Sequence, residues 1–241
     1  MNSNMKNVSN DEITVVIPVL NEEEAVGQVI KRVKEEGYSN ILVVDGYSTD
    51  DTFSVASKNG VRVIFQKGKG KTGAIETAIK HVKTLYMVVM DGDCTYDPKD
   101  IENILMRLRE SDLVIGVRAI GRGNIPLFNR FGNWIINFIF NTLNGTDLVD
   151  VCSGMYGLRT DFARSLDFKT GGFDVEVEMA AQASRHGVID QVPIRYHKRV
   201  GLQKLQSFKD GFQIVLTMFR MALKLNLNYP LKREVFQITN E

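Results

Sequence analysis

The fold is decided by the stretch ITVVIPVLNEEEAVGQVIKRVKEEGYSNILVVD, which runs from Ile13 to Asp45. It opens with a β-branched run, continues with apolar residues at helical spacing, and closes with a second apolar run. Two parallel strands need a long crossover connection, and this connection is usually a helix. The stretch therefore predicts a β-α-β unit and a parallel sheet.

The same alternation of apolar runs and helical periodicity continues along most of the chain. Further strands are predicted over residues 61–65, 85–90, 112–118, 154–159 and 189–197, with helices between them. This pattern predicts an α/β fold with a Rossmann-like, mostly parallel central sheet flanked by helices. We divide the chain into a polar N-terminal tail (1–12), one domain (13–205), and a C-terminal amphipathic helix and tail (206–241).

Composition excludes several classes of protein. The chain has 241 residues, and its 30 Lys and Arg residues against 29 Asp and Glu residues leave a net charge of +1. A protein with that balance has no overall charge suited to duplex nucleic acid. The two cysteines form no disulfide framework, the N-terminus is polar, and no apolar window is long enough to span a bilayer. These features predict a cytoplasmic protein.

The most informative motif is VVMDGDCTYDP, from Val88 to Pro98. Asp91 and Asp93 follow an apolar strand, and alternate residues of an extended segment point to the same side. Two carboxylates placed in this way suit Mg²⁺ or Mn²⁺, which commonly bridges to a substrate diphosphate. The alternative is a turn whose aspartates are solvated.

A second polar cluster follows another predicted strand, in VVDGYSTDDT. Asp45 ends that strand, and Ser48 and Thr49 stand where a helix begins. Ligands of open parallel sheets bind beyond the carboxyl ends of the strands. A carboxylate at Asp45 is therefore a candidate acceptor of hydrogen bonds from a nucleobase or a ribose.

The glycine-rich stretch QKGKGKTGAIETAIKH, from Gln66 to His81, allows two interpretations. Gly68, Gly70 and Gly73 have the spacing of a dinucleotide-binding fingerprint, and Asp91 follows roughly 20 residues later. That fingerprint usually follows the first strand, whereas this stretch follows the third. A phosphate loop of the Walker type is excluded because Phe65 stands where that motif needs glycine.

With these motifs placed, the chain resembles the inverting family 2 glycosyltransferases, which have the GT-A nucleotide-sugar-binding fold. The closest resemblance is to polyprenyl-phosphate sugar synthases of the dolichyl-phosphate mannose and glucose synthase type. The segments that carry it stand in the family's order: VVIPVLNEEEAV, VVDGYSTDDT, GKGKTGAI, MDGDCTYDP, VIGVR, CSGMYGLR, FDVEVEM and VPIRYHKRVGLQKL. The chain departs from the family pattern at Gly46, where relatives commonly have aspartate, and at Gln203, where they often have serine.

The resemblance implies a set of site residues. The nucleotide-binding residues that it implies are Pro18, Asn21, Glu22, Asp45, Lys69, Lys71, Gly73 and Asp91. The metal ligands for Mg²⁺ or Mn²⁺ are Asp91 and Asp93. The residues for the acceptor phosphate are Arg118, Arg130, Arg199 and Lys204, and the catalytic set is Asp93, Arg118 and Arg199. An acidic residue of the family falls at Glu178 or Glu176, with Glu178 in the better register.

The resemblance also implies a reaction. A hexose or N-acetylhexosamine would move from a UDP- or GDP-sugar to polyprenyl or dolichyl phosphate, with inversion at the anomeric carbon. One alternative is transfer to a hydroxyl acceptor on a glycan, which needs a general base. Two others are an NAD-binding oxidoreductase and a noncatalytic binder of nucleotide sugars.

A lipid acceptor requires the protein to reach a membrane surface, and two segments are candidates for that contact. The helix predicted from Ser207 to Leu227 has apolar and cationic residues at near-helical spacing. They are Phe208, Phe212, Val215, Phe219, Leu223, Lys209, Arg220 and Lys224. The apolar segment around Trp134 is the second candidate. We expect a peripheral protein on the cytoplasmic face of the membrane, and the alternatives for the C-terminal helix are core packing or a seam of a homo-oligomer.

Overall fold

The structure is a computed structural model that describes residues 9–169, 175–201 and 214–217. Its centre is a seven-stranded sheet with the strand order β3-β2-β1-β4-β6-β5-β7. The strands are β1 (Ile13–Val19), β2 (Ile41–Asp45), β3 (Arg62–Phe65), β4 (Tyr86–Val89), β5 (Leu113–Ile120), β6 (Tyr156–Arg159) and β7 (Ile189–Arg195). All neighbouring pairs are parallel except those of β6, which runs antiparallel to β4 and β5. The predicted mostly parallel sheet is confirmed.

Helices connect the strands and cover both faces of the sheet. They are α1 (Val26–Glu35), α2 (Thr52–Lys58), α3 (Gly70–His81), α4 (Ile101–Leu108), α5 (Leu127–Asn144), α6 (Thr160–Ser165) and α7 (Val175–His186). The sequence did not predict α6, because a helix of this length is too short to show a periodic pattern. The helix expected to follow Asn21 begins later, at Val26, because turns occupy the residues before it.

Two hydrophobic clusters lie on opposite faces of the sheet. One contains buried residues of α3, α5 and α7, such as Ile75, Phe140 and Val177. The other contains buried residues of α1 and α4, such as Ile30 and Ile104. Strands covered on both faces read as continuous apolar runs, as β1, β2 and β4 do. The sheet therefore holds the carboxyl ends of these strands at fixed positions.

Helix α5 packs on the sheet with one side and is tied to the next loop by asparagines. Ile136 and Phe140 are buried in the core. Asn137 bonds the backbone of Val149 and Val151, and Asn141 bonds Leu148. The asparagines of this apolar segment therefore position the loop that leads to β6.

The C-terminal region is described only over residues 214–217, which are helical. Ile214 is buried in the core and Val215 packs against the same cluster. The remaining residues proposed for the docking helix lie outside the described residues, namely Phe208, Lys209, Phe212, Phe219, Arg220, Leu223 and Lys224. Within the described parts of the chain, no helix has the length and apolarity required to cross a membrane.

Candidate active site

The candidate site lies where β1, β2 and β4 end. Each of these strands is followed by a non-glycine residue with left-handed backbone, namely Asn21 (φ 51°), Tyr47 (φ 65°) and Cys94 (φ 65°). Such backbone is costly for residues with a side chain, and it concentrates at functional sites. The strained turns and the sequence motifs therefore coincide at one edge of the sheet.

Asp91 and Asp93 follow β4 at this edge, as predicted, and each carboxylate contacts a cation of the chain. Asp91 Oδ1 is 2.6 Å from Lys71 Nζ, and Asp93 Oδ2 accepts a hydrogen bond from Arg199. Burial and the nearby charge of Asp91 raise the pKa of Asp93, although Thr95 and Arg199 favour its ionised form. The electrostatics of the two carboxylates therefore favour additional positive charge between them.

The backbone at Gly154 makes room for the carboxylate of Asp91. A Cβ atom built on Gly154 would lie 2.1 Å from Asp91 Oδ2, which no side chain can accommodate. Gly154 N donates in turn to the hydroxyl of Tyr96, at 2.7 Å. The segment before β6 is thus fitted to the position of Asp91, a feature that the sequence analysis missed.

Lys71 joins the start of α3 to the start of α7 through a buried charge cluster. Its ammonium group lies 2.6 Å from Asp91 and 2.7 Å from Glu176. Burial opposes the charge of Lys71, but the carboxylates of Asp91 and Glu176 outweigh it and raise the pKa of Lys71 well above its usual value. Lys71 is therefore held charged beside the candidate metal ligands.

Of the two acidic residues considered on α7, Glu176 is the one that contacts Lys71. Burial raises the pKa of Glu176, and the charge of Lys71 acts in the opposite direction. Glu178 is buried and accepts a hydrogen bond from the backbone N–H of Lys169, at 2.7 Å. Glu176 therefore belongs to the charge cluster of Lys71, and the assignment of the family's acidic residue to Glu178 stays a prediction.

Arg199 belongs to the segment after β7 and ties two of the strand-end loops together. Its guanidinium group donates to Asp93 and to Glu22, and Glu22 is buried. Val200 N also bonds the carbonyl of Asp93, at 3.0 Å. Residues that are distant in sequence thus meet at Arg199, and its fork geometry suits this double contact.

Asp45 is a buried carboxylate at the end of β2. Its side chain is fully buried, and Oδ1 accepts a hydrogen bond from Ser48 N at 2.6 Å. Its other oxygen, Oδ2, is buried with no partner among the described residues. A buried acceptor without a partner is costly, and a ligand N–H or O–H can satisfy it.

The first loop of the site, after β1, is bonded to the loop that carries Asp45. Asn21 N donates to Ser48 Oγ and Asn21 Oδ1 accepts from Thr49 N, at 2.8 and 2.7 Å. Pro18 lies in β1, directly opposite Val44. The structure therefore brings the loops that follow the first and second strands together.

The glycine-rich stretch packs on itself. Gly68 has left-handed backbone, and a Cβ atom on Gly73 would lie 2.8 Å from the carbonyl carbon of Gly68. Lys69 is exposed at the N-terminus of α3, whereas Lys71 points to Asp91. Loop packing explains the spacing that suggested a dinucleotide site, and Asp91 belongs to a different cluster.

Arg118 lies behind the carboxylates, in a buried pair that sequence reasoning did not predict. Its guanidinium group donates to both oxygens of Asp150, at 2.7 and 2.6 Å, and Arg118 N also bonds Asp150 at 3.1 Å. The ring of Tyr196 lies 5.5 Å from the guanidinium carbon and 5.5 Å from the ring of Tyr96. Tyr196 therefore contacts both the guanidinium group of Arg118 and the edge of Tyr96.

A cavity of about 190 Å³ opens beside Arg118. Two further arginines line it, Arg122 and Arg130, and Asp150 is the one acidic residue among the described residues of its lining. Its apolar wall includes Trp134 and Ile125. Arg122 was absent from the predicted site residues, and Lys204 lies outside the described residues. The cavity combines a net positive lining with an apolar wall.

Comparison with known proteins bears on this arrangement. Residues 14–166 match the model of Glycosyl transferase family 2. The chain is 34% identical over 219 residues to glycosyltransferase AglJ of Haloferax volcanii, covering 88% of this chain and 72% of that protein. It is 30% identical over 222 residues to a dolichyl-phosphate hexose transferase of the same organism, covering 90% of this chain and 96% of that protein.

The fold also matches a solved structure. Glucosyl-3-phosphoglycerate synthase from Mycobacterium tuberculosis, crystallised with Mn²⁺, UDP-glucose and phosphoglyceric acid, aligns with a TM-score of 0.74 and 21% identity. The alignment covers 88% of this chain and 80% of that one. At this identity the likeness concerns the fold, and it agrees with the GT-A architecture expected from the sequence.

Proposed function

The chain belongs to glycosyl transferase family 2, and we propose that it transfers a sugar from a nucleotide diphosphate to a polyprenyl or dolichyl phosphate. The sugar is a hexose or an N-acetylhexosamine, and the donor is a UDP- or GDP-sugar. A relative named dolichyl-phosphate hexose transferase, similar over nearly its whole length, supports this acceptor class. The chain is thus an enzyme, a glycosyltransferase, and its sugar, its nucleotide and its acceptor are the parts of the activity that are proposed.

The observation that carries the proposal is the arginine-lined cavity with an apolar wall. Its three arginines and one carboxylate leave a net charge of two positive units. A phosphate monoester carries about 1.5 to 2 negative charges near neutral pH. The lining therefore matches the charge of the acceptor headgroup, and the wall at Trp134 suits the first part of an apolar tail.

Acceptor chemistry explains why arginines are needed at this site more than a general base. The phosphate of the acceptor is already ionised near neutral pH, because its second pKa is about 6. An ionised oxygen can attack the anomeric carbon directly, so that the sugar bond to the nucleotide breaks as the new bond forms and the configuration inverts. Arg118 and Arg130 bind and orient the nucleophile in this scheme.

The donor occupies the cleft between the strand ends. The free oxygen of Asp45 accepts an N–H of the base or a hydroxyl of the ribose, and the turn at Asn21 borders the same pocket. Lys71, with Lys69 and the N-terminus of α3, provides positive charge for the diphosphate. The leaving nucleoside diphosphate therefore lies between α3 and the carboxylates that follow β4.

The residues after β4 fit a divalent cation. Asp91 and Asp93 offer hard oxygen ligands, and burial together with the nearby charge of Asp91 raises the pKa of Asp93. Mg²⁺ or Mn²⁺ held by these residues would stabilise the charge that develops on the leaving diphosphate. In the described parts of the chain, no three His, Cys, Asp or Glu side chains are grouped to hold an ion.

A transfer assay tests the proposed function. The protein is incubated with radiolabelled UDP- and GDP-sugars, Mn²⁺ or Mg²⁺, and a polyprenyl phosphate, and the product is extracted into organic solvent. Metal-dependent label in the lipid fraction is expected with one of the two nucleotides. Label that appears only in a water-soluble glycan would contradict the lipid acceptor and favour a hydroxyl acceptor. Arg130→Gln is the matched variant, because it removes a cavity charge outside the donor cleft.

A further inference from the structure

Helix α5 exposes an apolar face as well as burying one. Ile136 and Phe140 enter the core, whereas the opposite side carries Leu127, Phe131, Trp134 and Phe138. These four residues, which we call the α5 aromatic face, are 77%, 59%, 59% and 62% exposed. Their spacing of four, three and four residues places them along one side of the helix. Among the described residues, the core accounts for one side of α5 and leaves these four side chains exposed.

The rings of the α5 aromatic face form a continuous surface. Trp134 stacks on Phe131 and on Phe138, with ring centroids 6.0 and 6.1 Å apart and interplanar angles of 22° and 20°. Scattered exposed apolar residues are ordinary in proteins, but contiguous exposed apolar patches mark interaction sites. The α5 aromatic face is such a patch.

The charges around the α5 aromatic face select its partner. From Ala119 to Thr146 the chain carries two arginines, Arg122 and Arg130, and no acidic residue. Both arginines line the cavity that Trp134 also borders. Aromatic side chains next to arginines suit a membrane interface with anionic headgroups. A second copy of the chain would bring the same cations together with no carboxylate from this stretch to pair them.

We propose that the α5 aromatic face docks on a lipid bilayer that contains anionic lipid. Leu127, Phe131, Trp134 and Phe138 enter the boundary between headgroups and acyl chains, and Arg122 and Arg130 contact the headgroups. The inference rests on the proposed function in one respect, since an enzyme with a lipid acceptor must reach the membrane that contains that acceptor. In that orientation the cavity opens at the bilayer surface, so that a lipid phosphate enters it while its tail stays among the acyl chains.

The chain contains a built-in reporter of this docking, because Trp134 is its only tryptophan. Wild-type protein is mixed with vesicles of phosphatidylcholine, with or without phosphatidylglycerol, and the tryptophan emission is recorded. We expect a shift to shorter wavelength with the anionic vesicles, and quenching by brominated acyl chains. Unchanged emission with both kinds of vesicle would overturn the proposal.

Two matched double variants locate the contact. Leu127→Glu with Phe138→Glu should lower the vesicle partition coefficient at least about 100-fold, since two large apolar side chains no longer leave water. Leu85→Glu with Met106→Glu adds the same charge at exposed apolar residues outside α5 and should bind like wild type. Equal loss in both variants, or binding retained in the first, would contradict docking through α5. Circular dichroism and thermal unfolding establish that both variants are folded.

The oligomeric state and the acceptor are tested separately. In sedimentation without vesicles, we expect wild-type protein and the α5 double variant to have the same oligomeric state. Self-association of wild type that the variant abolishes would instead assign the α5 aromatic face to a second copy of the chain. Wild-type protein is also assayed with a short, water-soluble prenyl phosphate. Failure of that transfer with vesicle binding intact would refute the proposed function and leave the docking in place. Sugar transfer to the short prenyl phosphate without vesicle binding would refute the docking and leave the proposed function in place.

Discussion

Replacing Asp150 by alanine should destabilise the protein strongly, because it leaves the charge of Arg118 buried and unpaired. The side chains of Arg118 and Asp150 are only 9% and 11% exposed. Three donors of Arg118, its backbone N, Nε and Nη2, contact the carboxylate. Burial opposes the charge of Arg118, and the contributions of Tyr96 and Asp150 outweigh it and raise its pKa. Removing Asp150 removes much of that compensation.

The size of the effect follows from this geometry. Breaking a buried ion pair by deleting one partner costs about 3 to 5 kcal/mol. The ring of Tyr196 beside the guanidinium group, 5.5 Å away, and the adjoining cavity relieve part of the cost. We therefore expect a loss of about 3 kcal/mol for Asp150→Ala, which is about 6 to 12 °C in Tm for a chain of this size.

A double-mutant cycle with Arg118→Met separates the pair from its surroundings. Removing both charges eliminates the unpaired buried cation, so the double variant should be more stable than the sum of the single losses predicts, by about 2 kcal/mol. Urea unfolding at a constant m value measures each free energy of unfolding. A loss below about 1 kcal/mol for Asp150→Ala, or a coupling below about 0.5 kcal/mol, would refute the reasoning.

Four further outcomes test the site. Asp91→Asn and Asp93→Asn should each lower kcat at least about 100-fold with an unchanged circular dichroism spectrum, since leaving-group stabilisation is lost; near-normal turnover at limiting metal would exclude them as ligands. Arg199→Lys should lower transfer although charge is kept, because lysine lacks the fork that bridges two carboxylates; activity equal to wild type would make the bridge dispensable. Arg130→Gln should raise the acceptor KM about tenfold and spare donor binding, measured by calorimetry. Burial raises the pKa of Cys152 to about 12, so its alkylation at pH 8 should be far slower than that of a free thiol, as followed by mass spectrometry.

Local patterns in the sequence were sufficient for the sheet and for part of the site. The alternation of apolar runs with helical periodicity predicted each strand, because the side-chain repeat of a strand or helix is set by neighbouring residues. Asp45 ends its strand and Asp91 and Asp93 come shortly after theirs, so their common edge follows from parallel strand direction. The remaining site residues were predicted from the resemblance to the family, because the motifs stand in the family's order along the chain.

Contacts between distant segments were decided only by the tertiary structure. Arg118 pairs with Asp150, which is distant from it in sequence. The local sequence around either residue does not predict this pair. The same holds for the contact of Lys71 with Glu176, which joins the start of α3 to the start of α7. Glu176 and Glu178 are two residues apart on α7 and both are buried, so a register match in sequence cannot tell which of them contacts Lys71.

For helix α5 too, the sequence predicted an apolar segment, and only the tertiary structure decided which of its sides is buried. Its sequence is apolar around most of the helix, and periodicity identified an apolar segment around Trp134 without assigning its sides. Only the packing of Ile136 and Phe140 on the sheet fixes the rotation of the helix, and with it the exposure of Phe131, Trp134 and Phe138. A sequence determines which side chains are apolar, whereas burial depends on neighbours that come from elsewhere in the chain.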